Sequence, residues 1–380
     1  MTSQFDHIEV HYADATLARD PAIQKLYLCG VSTPFQTMAW FQDWERCVGK
    51  TPSSKSIDIV GHKNDIPVIL LPLNLEIHLG YKMLSWRTGE LSDYCCPLIA
   101  PEVREKLQYS EVQELIIKAN NQYKIADVVK LQKLPEKFIV PNDFYPGSNP
   151  IRYHVYSHRT IVKGSWDEYY NAKRGPKTRR RLKDKFKTLS KFAPVTMRFA
   201  ENEEEARELI AQCISMKASQ LKRRNNWNPF SSTSSKQHVI DHFSSGIGDN
   251  SWVASLYLGE KPIAISFGFK SSEGWLLYQL AMQDGDHAAY SPGTHLLIFI
   301  MRHCWEAGAK MFDFSLGDEP YKDDWCEVHD TLLIDVFSLS WRGMPISALL
   351  RLAAHIRLKL SSYPNLMKHF RVLKNKTKLA

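Results

Sequence analysis

The order of elements in the second half of the chain constrains the fold more than any other feature. Three strand patterns follow one another, and Gly259-Glu260 predicts a tight hairpin between the first two, "SWVASLYLG" and "KPIAISFGFK". The third, "GWLLYQLAMQ", precedes an apolar helix pattern over 291–308 and a further strand, "KMFDFSL". This alternation predicts an α/β (mixed α+β) fold, with a central mixed sheet flanked by helices.

The length of the chain predicts two domains. Its 380 residues exceed the usual size of one domain, and a turn-rich loop, "PNDFYPGSNP", marks the boundary. We expect a first domain over 1–150, a second over 151–342 and a basic helical tail over 343–380. The final strand pattern, "TLLIDVFSLSW", is assigned to the second domain. Each half contains a helix, a strand meander and another helix, which is compatible with a duplicated fold.

Local signals in the first half predict helices and one hairpin. The apolar spacing over 35–48 favours an amphipathic helix, and a second helix is expected over 102–122, just after Pro101. Asn64-Asp65 predicts the turn between two strands.

The helix over 291–308 begins with "SPGT", which favours an anion site at its start. The first N–H groups of a helix lack internal partners and the helix dipole adds positive potential there. Gly293 removes the side chain that would block an approaching phosphate. The alternative from local sequence is a capped core helix in which Pro292 and Gly293 only punctuate the turn.

The segment "FDFSLGDEPYKDDW" (312–325) carries the candidate acid–base groups. Alternation along the strand places Phe312 and Phe314 on one face, with Asp313 and Ser315 on the other. Carboxylate, phenol and ammonium groups then follow in one loop. Such groups can remove a proton from an attacking amine or hydroxyl, or donate one to a leaving thiolate. The alternative is a solvated loop with carboxylate–lysine pairs.

With "RRRL" upstream and "PFQTMAW" and "ELSDY" in the first half, these motifs resemble one bacterial group of GNAT acyltransferases. This group comprises the CelD-type, or BioF2-like, acetyltransferases associated with cellulose and exopolysaccharide production. It is related to the Fem-type peptidyltransferases, which have two GNAT domains in one chain. The resemblance covers most of residues 30–340 and is most specific over 290–325. It implies two tandem GNAT-like domains and transfer of an acyl group from acetyl-CoA or another acyl-CoA.

The resemblance also implies where the donor is held. The residues expected to contact the CoA pyrophosphate and its surroundings are Met282, Gln283, Ser291, Pro292, Gly293, Thr294 and His295. The segment keeps Gln283 and two glycines but departs from the Q/R-x-x-G-x-G/A spacing common in GNAT phosphate loops. The catalytic candidates, chosen by position, are Asp313 or Glu319 as base, Tyr321 as acid and Lys322 as an orienting cation. The candidate acceptor contacts are Arg179, Arg180, Arg181, Asp93 and Trp325.

Charge is concentrated in two basic segments. Residues 173–191 carry ten Lys/Arg and one Asp, and residues 341–380 carry nine Lys/Arg and no acid. Because the whole chain is +8, the remaining 321 residues carry a net −10. Such segments usually meet anions. The first could neutralise a donor phosphate or an anionic acceptor; tRNA binding is the rival, because Fem-type relatives take aminoacyl-tRNA.

The tail pattern "ISALLRLAAHIRLKL" has an apolar face at Leu349, Leu352, Ala353 and Ile356 beside basic residues. This face predicts either packing on the tail's own domain or binding to an anionic membrane surface.

Other classes of protein are disfavoured by composition. The longest apolar run falls short of a membrane span, and the polar, acidic N-terminus lacks a secretory signal. We therefore expect a cytoplasmic enzyme, with peripheral attachment to the inner membrane as an added option. Seven cysteines without C-x-x-C favour reduced thiols. His238 and His242 share a helix spacing but lack a third ligand in the pattern, so no metal is expected. A non-catalytic GNAT-like partner of an exopolysaccharide machine remains an alternative.

Overall fold

A computed structural model of the chain describes residues 5–12, 17–30, 33–49, 54–136, 149–317, 319–361 and 363. Most of the predicted boundary loop, residues 141–148, lies outside the described residues, as do Asp318 and the end of the basic tail.

Fifteen strands lie in the described residues. They are β1 (His7–Tyr12), β2 (Ser54–Lys63), β3 (Ile66–His78), β4 (Tyr81–Trp86), β5 (Leu98–Ile99), β6 (Val128–Pro135), β7 (Ile151–Arg152), β8 (Ser157–Ile161), β9 (Val195–Phe199), β10 (Ser251–Leu258), β11 (Lys261–Lys270), β12 (Gly274–Met282), β13 (Met311–Leu316), β14 (Val328–Asp330) and β15 (Leu332–Ser338).

Eleven α-helices accompany them in the same residues. They are α1 (Pro21–Cys29), α2 (Met38–Cys47), α3 (Pro101–Arg104), α4 (Tyr109–Tyr123), α5 (Trp166–Lys173), α6 (Pro176–Leu189), α7 (Glu203–Arg223), α8 (Thr233–Ser245), α9 (Pro292–Glu306), α10 (Pro320–Asp323) and α11 (Gly343–Ser361). No helix of the described residues is both long and apolar enough to cross a membrane.

The chain forms two compact units, each with its own sheet. Within the described residues, unit 1 spans 5–156 and 330–363, and unit 2 spans 157–329. The sheet of unit 1 has the order β1-β2-β3-β4-β6-β15-β7, and that of unit 2 the order β14-β8-β13-β12-β11-β10-β9. Both sheets are mixed and flanked by helices, which confirms the predicted fold class. Each contains a parallel pair, β4 with β6 in unit 1 and β12 with β13 in unit 2.

The last strand corrects the predicted division at 151–342. β15 pairs antiparallel with β6 and with β7, so it completes the sheet of unit 1 rather than that of unit 2. In unit 2 the matching position beside β13 is taken by β8, which precedes the rest of that unit in sequence. The pairing energy of a strand does not depend on its place along the chain. The same position in a sheet can therefore be occupied by a strand that comes before the rest of the unit, as β8 does, or after it, as β15 does.

Local turn signals are confirmed, while two helix predictions are modified. Asn64 and Asp65 both have positive φ at the β2–β3 turn, as a two-residue hairpin requires. The helix expected over 102–122 is broken into α3 and α4, and Gln108 starts the second piece. The helix expected over 35–48 begins as a 3-10 turn, Pro34–Gln36, before α2.

Helices cover both faces of the sheet in unit 2. α9 packs in a core with Ala254 and Leu256 of β10. On β11, Phe267 lies opposite Val253, on the other face, and its ring contacts Phe243 of α8 at 4.9 Å between centroids. The apolar alternation of these strands therefore serves two cores.

The tail helix α11 packs on unit 1, but through a different face from the one predicted. Its half-buried residues pack against Met83, Val128 and Val336; they are Ile346, Leu350, Ala354 and Leu358. The predicted apolar face is exposed instead, with Leu349 at 63%, Leu352 at 56% and Ile356 at 45% of full exposure. Both faces are apolar, so the spacing alone could not select the packed one.

Candidate active site

The strands β12 and β13 separate beside the start of α9. They pair only through Gly274–Leu276 and Met311–Asp313, although β12 continues to Met282 and β13 to Leu316. β12 also carries an extra residue, Tyr278, against β11. Bulges often occur next to active sites, where they redirect a strand. The divergence leaves a slot between the carboxyl ends of the two strands, where ligands of open α/β sheets bind.

The start of α9 presents one open backbone donor. The Ser291 N–H donates to the Ala288 carbonyl, and the N–H groups of Thr294 and His295 both donate to the Ser291 carbonyl. Pro292 has no N–H. Among the residues expected at this helix start, Gly293 is therefore the one whose N–H has no backbone acceptor within the described part of the chain.

Ser291 holds an unusual backbone conformation at this helix start. Its φ is +59°, in the left-handed region, and its side chain does not cap the helix. A non-glycine residue in this region is uncommon and stores strain, which is frequent at functional sites. The first turn of α9 also lacks an acidic residue, so no carboxylate of its own competes for the positive end of the helix.

Gly293 is buried, yet its own chain leaves room for a methyl group. A Cβ built there would lie 3.6 Å from Met282 Sδ and 3.9 Å from Leu280 Cδ2, which are ordinary contacts. Internal packing does not require glycine at this position. The position therefore leaves the backbone open to the approach of an external group.

The basic helix α6 brings a cation to the start of α9. Lys185 Nζ donates to Ser291 Oγ at 2.9 Å, and the Phe186 ring contacts His295 at 5.2 Å between centroids. Burial lowers the pKa of His295, although its bond to the Tyr290 carbonyl opposes this, and the nearby Lys185 lowers it further. Lysine 185 was not predicted as a site residue, because 106 residues separate it from Ser291.

Asp313 is buried within β13, as the strand pattern predicts. One carboxylate oxygen accepts the Ser315 N–H at 2.7 Å. Ser315 has φ +59°, and the pairing of β13 with β8 shifts register between Asp313 and Leu316. Phe312 and Phe314 share the opposite face, with ring centroids 4.9 Å apart.

Glu319 and Lys322 form an ion pair in the loop that follows. Lys322 Nζ lies 3.0 Å from Glu319 Oε2 and donates to the Leu316 carbonyl at 2.6 Å. Lys322 is buried, whereas the Glu319 side chain is 38% exposed. Desolvation alone would raise the pKa of Glu319, but the charges of Lys322 and Lys217 together lower it. Glu319 is therefore a carboxylate at neutral pH, able to accept a proton.

Tyr321 remains protonated under the same conditions. Burial raises its pKa, and the neighbouring Glu319 carboxylate raises it further. Its ring contacts Phe314 at 6.4 Å between centroids. A phenol in this state donates a hydrogen bond and is not a base.

The predicted acceptor contacts have varied environments. Trp325 is fully buried, with Arg174 over its ring at 4.0 Å, so it packs in the core of unit 2. On α6, Arg179 is half-buried and Arg180 and Arg181 are exposed. Asp93 lies in unit 1, half-buried between β4 and β5.

Comparison with known proteins identifies the fold of unit 2. Residues 176–323 match the family model described as "Acetyltransferase (GNAT) domain". This segment, which includes α6, the start of α9 and the loop with Glu319, is therefore similar to a GNAT acetyltransferase domain. No curated protein matches the sequence significantly.

Solved structures extend the similarity to most of the chain. FemX is 11% identical, with a TM-score of 0.57, and the match covers 89% of this chain and 99% of that one. A conserved protein of unknown function from Bacteroides thetaiotaomicron is 10% identical, with a TM-score of 0.50, over 87% of this chain and 100% of that one. A tandem GNAT protein from the clavulanic acid biosynthesis pathway is 12% identical, with a TM-score of 0.46. The match covers 87% of this chain and 99% of that one. At these identities the first two likenesses concern the fold alone.

Proposed function

We propose that the protein is an acyl-CoA-dependent N- or O-acyltransferase whose donor binds unit 2. The observation that carries this proposal is the open Gly293 N–H at the start of α9, beside Lys185, within a GNAT domain. A helix start without its own acid, next to an ammonium group, attracts phosphate. The slot between β12 and β13 would take the thioester arm of the donor.

The proposed reaction is direct acyl transfer. The acceptor nitrogen or oxygen attacks the thioester carbonyl, and its proton passes to the Glu319 carboxylate, with Asp313 as the second candidate base. The carbon–sulfur bond then breaks, and the leaving thiolate takes a proton from the Tyr321 hydroxyl. At neutral pH Glu319 is ionised and Tyr321 is protonated, the states in which a base and an acid begin. The lowered pKa makes Glu319 a weak base and the raised pKa makes Tyr321 a weak acid, so both roles depend on positioning rather than on proton affinity. Lys322 holds Glu319 in place.

The proposed acceptor is a sugar or a polysaccharide-related molecule that offers an amine or a hydroxyl. This choice follows the resemblance to the CelD-type acetyltransferases. The exposed Arg180 and Arg181 would favour an acceptor that also carries negative charge.

Calorimetric titration with acetyl-CoA tests the donor site. Gly293→Trp should abolish saturable binding. Gly293→Ala is the graded control: its Cβ makes only ordinary contacts within the protein, so the variant should fold as wild type does, but it narrows the approach to the backbone and should bind more weakly than wild type and more tightly than Gly293→Trp. Equal binding by wild type and Gly293→Trp would overturn the site. Glu319→Gln should keep donor affinity and lose about 100-fold or more in turnover with a suitable amine or hydroxyl acceptor.

A second candidate function is aminoacyl transfer from tRNA. The favouring observation is the row of exposed cations on α6, which includes Lys177, Arg180, Arg181, Lys183 and Lys187. Tight tRNA binding that weakens steeply with salt would favour this function over the first. A protein that binds neither acetyl-CoA nor tRNA would instead fit a non-catalytic partner in exopolysaccharide production.

The exposed face of α11 supports peripheral attachment of a cytoplasmic enzyme to an anionic membrane. Leu349, Leu352 and Ile356 are exposed together, and no acidic residue occurs from Trp341 to the end of the chain. An apolar face beside Arg and Lys is typical of helices that bind anionic lipid.

Vesicle sedimentation tests this attachment. Wild type should bind vesicles that contain phosphatidylglycerol and not purely phosphatidylcholine vesicles. Leu352→Glu should abolish binding, while Leu79→Glu, at a fully exposed turn of unit 1, should not. Equal loss in both variants, or equal binding to both lipids, would contradict the attachment.

A further inference from the structure

Three side chains of unit 2 converge outside the proposed donor site. They are His158 on β8, Asp323 at the end of α10 and His329 on β14, and their ligand atoms all lie within 4.8 Å of one another. His158 Nδ1 is 3.0 Å from His329 Nδ1 and 3.8 Å from Asp323 Oδ1. Two imidazoles and one carboxylate on three different elements therefore face a common point.

We propose that His158, Asp323 and His329 bind a divalent transition-metal ion of the zinc class. A tetrahedral ion with bonds of about 2.0–2.1 Å separates its ligand atoms by about 3.3 Å. The observed separations of 3.0 and 3.8 Å lie on either side of that value. Small rotations of the two exposed side chains, Asp323 and His329, would complete the geometry.

The fold fixes one ligand firmly and leaves room for a fourth. His158 is buried on a strand that lies between β13 and β14, and its ring stands at 85° to that of His329. The exposure of Asp323 and His329 gives water access to the remaining coordination position. A site with three protein ligands and one water is a common zinc arrangement.

The neighbouring acids are committed elsewhere, which distinguishes Asp323 from them. Asp324 pairs with Arg174 at 2.8 Å, and Glu327 pairs with Lys173 at 2.8 Å. A metal at Asp323 would tie the end of α10 to β8 and β14. It would thereby hold the loop that carries Glu319 and Lys322, a structural role distinct from the acyl transfer proposed above.

Zinc binding by the dialysed full chain tests the site, with a chromophoric chelator as competitor. Wild type should bind one Zn²⁺ tightly, and His329→Ala and Asp323→Ala should each weaken binding by about 100-fold. Asp324→Ala and His355→Ala are matched controls, an adjacent carboxylate and an exposed histidine outside the cluster, and should bind as wild type does. These positions are exposed, so folding of the variants is not at risk; His158→Ala is a further variant to be checked by circular dichroism.

Cobalt supplies a readout that does not depend on affinity. Co²⁺ at a three-ligand site of this kind should give intense visible absorption that His329→Ala removes and Zn²⁺ displaces. The hydrogen-bonded histidine pair without a metal is the competing interpretation. It is established if wild type binds no Zn²⁺ stoichiometrically, or if the cluster variants bind it as tightly as wild type.

Discussion

In each unit a helix connects the two parallel strands of the sheet, but the starts of the two helices differ. α4 connects the parallel strands β4 and β6, and α9 connects the parallel strands β12 and β13. At the start of α4, Glu111 accepts the Gln108 N–H at 2.8 Å, so the helix supplies its own anion. At the start of α9 no acid is present and the Gly293 N–H is open within the described residues.

The space beside the parallel pair differs in the same way. In unit 1 the segment after β4 bonds to β6, because Cys95 N–H donates to the Lys133 carbonyl and Lys133 Nζ donates to the Ser92 carbonyl. In unit 2 no described ladder bond joins β12 to β13 beyond Leu276 and Asp313. One unit thus fills with its own chain the features that the other leaves open within the described residues. Two units with similar strand orders therefore differ at the start of the helix that joins their parallel strands.

The largest expected effect comes from giving α9 the acid that α4 has. Thr294 occupies the third position of α9, as Glu111 does in α4. Thr294→Glu should lower acetyl-CoA affinity by about 100-fold, or about 2.7 kcal/mol, because the new carboxylate occupies the helix start and repels phosphate. Calorimetry measures this directly. The neutral Thr294→Gln is the control and should lose much less; equal losses would show that size, not charge, is responsible.

Removing the cation beside α9 should have a smaller effect. Lys185→Ala should weaken acetyl-CoA binding by about tenfold at low salt, and the difference from wild type should shrink as salt rises. Lys183→Ala, at an exposed position of the same helix, is the control. If both variants weaken binding equally, the general charge of α6, rather than the Lys185–Ser291 contact, attracts the donor.

Much of the fold was predictable because its signals are local. Asn64, Asp65 and Gly259 adopt the positive φ angles that tight turns need, and these residue types favour such angles. Pro176 and Pro292 each begin a helix, where the missing N–H of proline costs nothing. The position of the last strand, β15, in the sheet of unit 1 was not predictable in this way. β15 pairs with β6 about 200 residues earlier, and neither strand carries a local mark of its partner.

In the candidate site, too, residues marked by local motifs could be predicted and residues placed by long-range packing could not. Gly293 and the Asp313 segment could be found from short motifs, because strand alternation and helix starts are local properties. Lys185 could not, since its role depends on α6 lying against the start of α9. Trp325 was predicted to contact the acceptor from its place in the motif, but packing by Arg174 and the surrounding aromatic rings buries it. The packed face of α11 was similarly undetermined, because both faces are apolar.

Removing the acid of α4 tests the other side of the comparison. Glu111→Ala should lower the free energy of unfolding by about 1 kcal/mol, the usual value of such a cap, and leave acetyl-CoA affinity unchanged. Glu114→Ala, which removes only the half-buried pair with Lys118, should cost about 0.3 kcal/mol. A change in donor affinity in Glu111→Ala would mean that unit 1 also binds the donor, and the contrast between the units would be lost.

The smallest expected effect concerns the stability that the ionised Glu319 contributes to unit 2. Acid removes this contribution. Desolvation raises its pKa, but Lys322 and Lys217 lower it below 4.5. The carboxylate therefore stabilises the fold fully above about pH 4.5, the unfolded value, and this contribution is lost as pH falls through the folded pKa. Glu319→Gln should flatten this part of the stability–pH curve in chemical denaturation and leave the curve above pH 5 parallel to that of wild type.

Asp127 of unit 1 provides the matched control for this titration. Desolvation raises its pKa, but hydrogen bonds from Lys82 N–H at 3.0 Å and Ser340 Oγ at 2.7 Å lower it overall. Asp127→Asn should therefore also flatten the acid limb, while hydrogen exchange at residues 311–325 should respond to acid as in wild type. If that segment loses its acid response in Asp127→Asn but keeps it in Glu319→Gln, the titration does not belong to the Glu319–Lys322 pair.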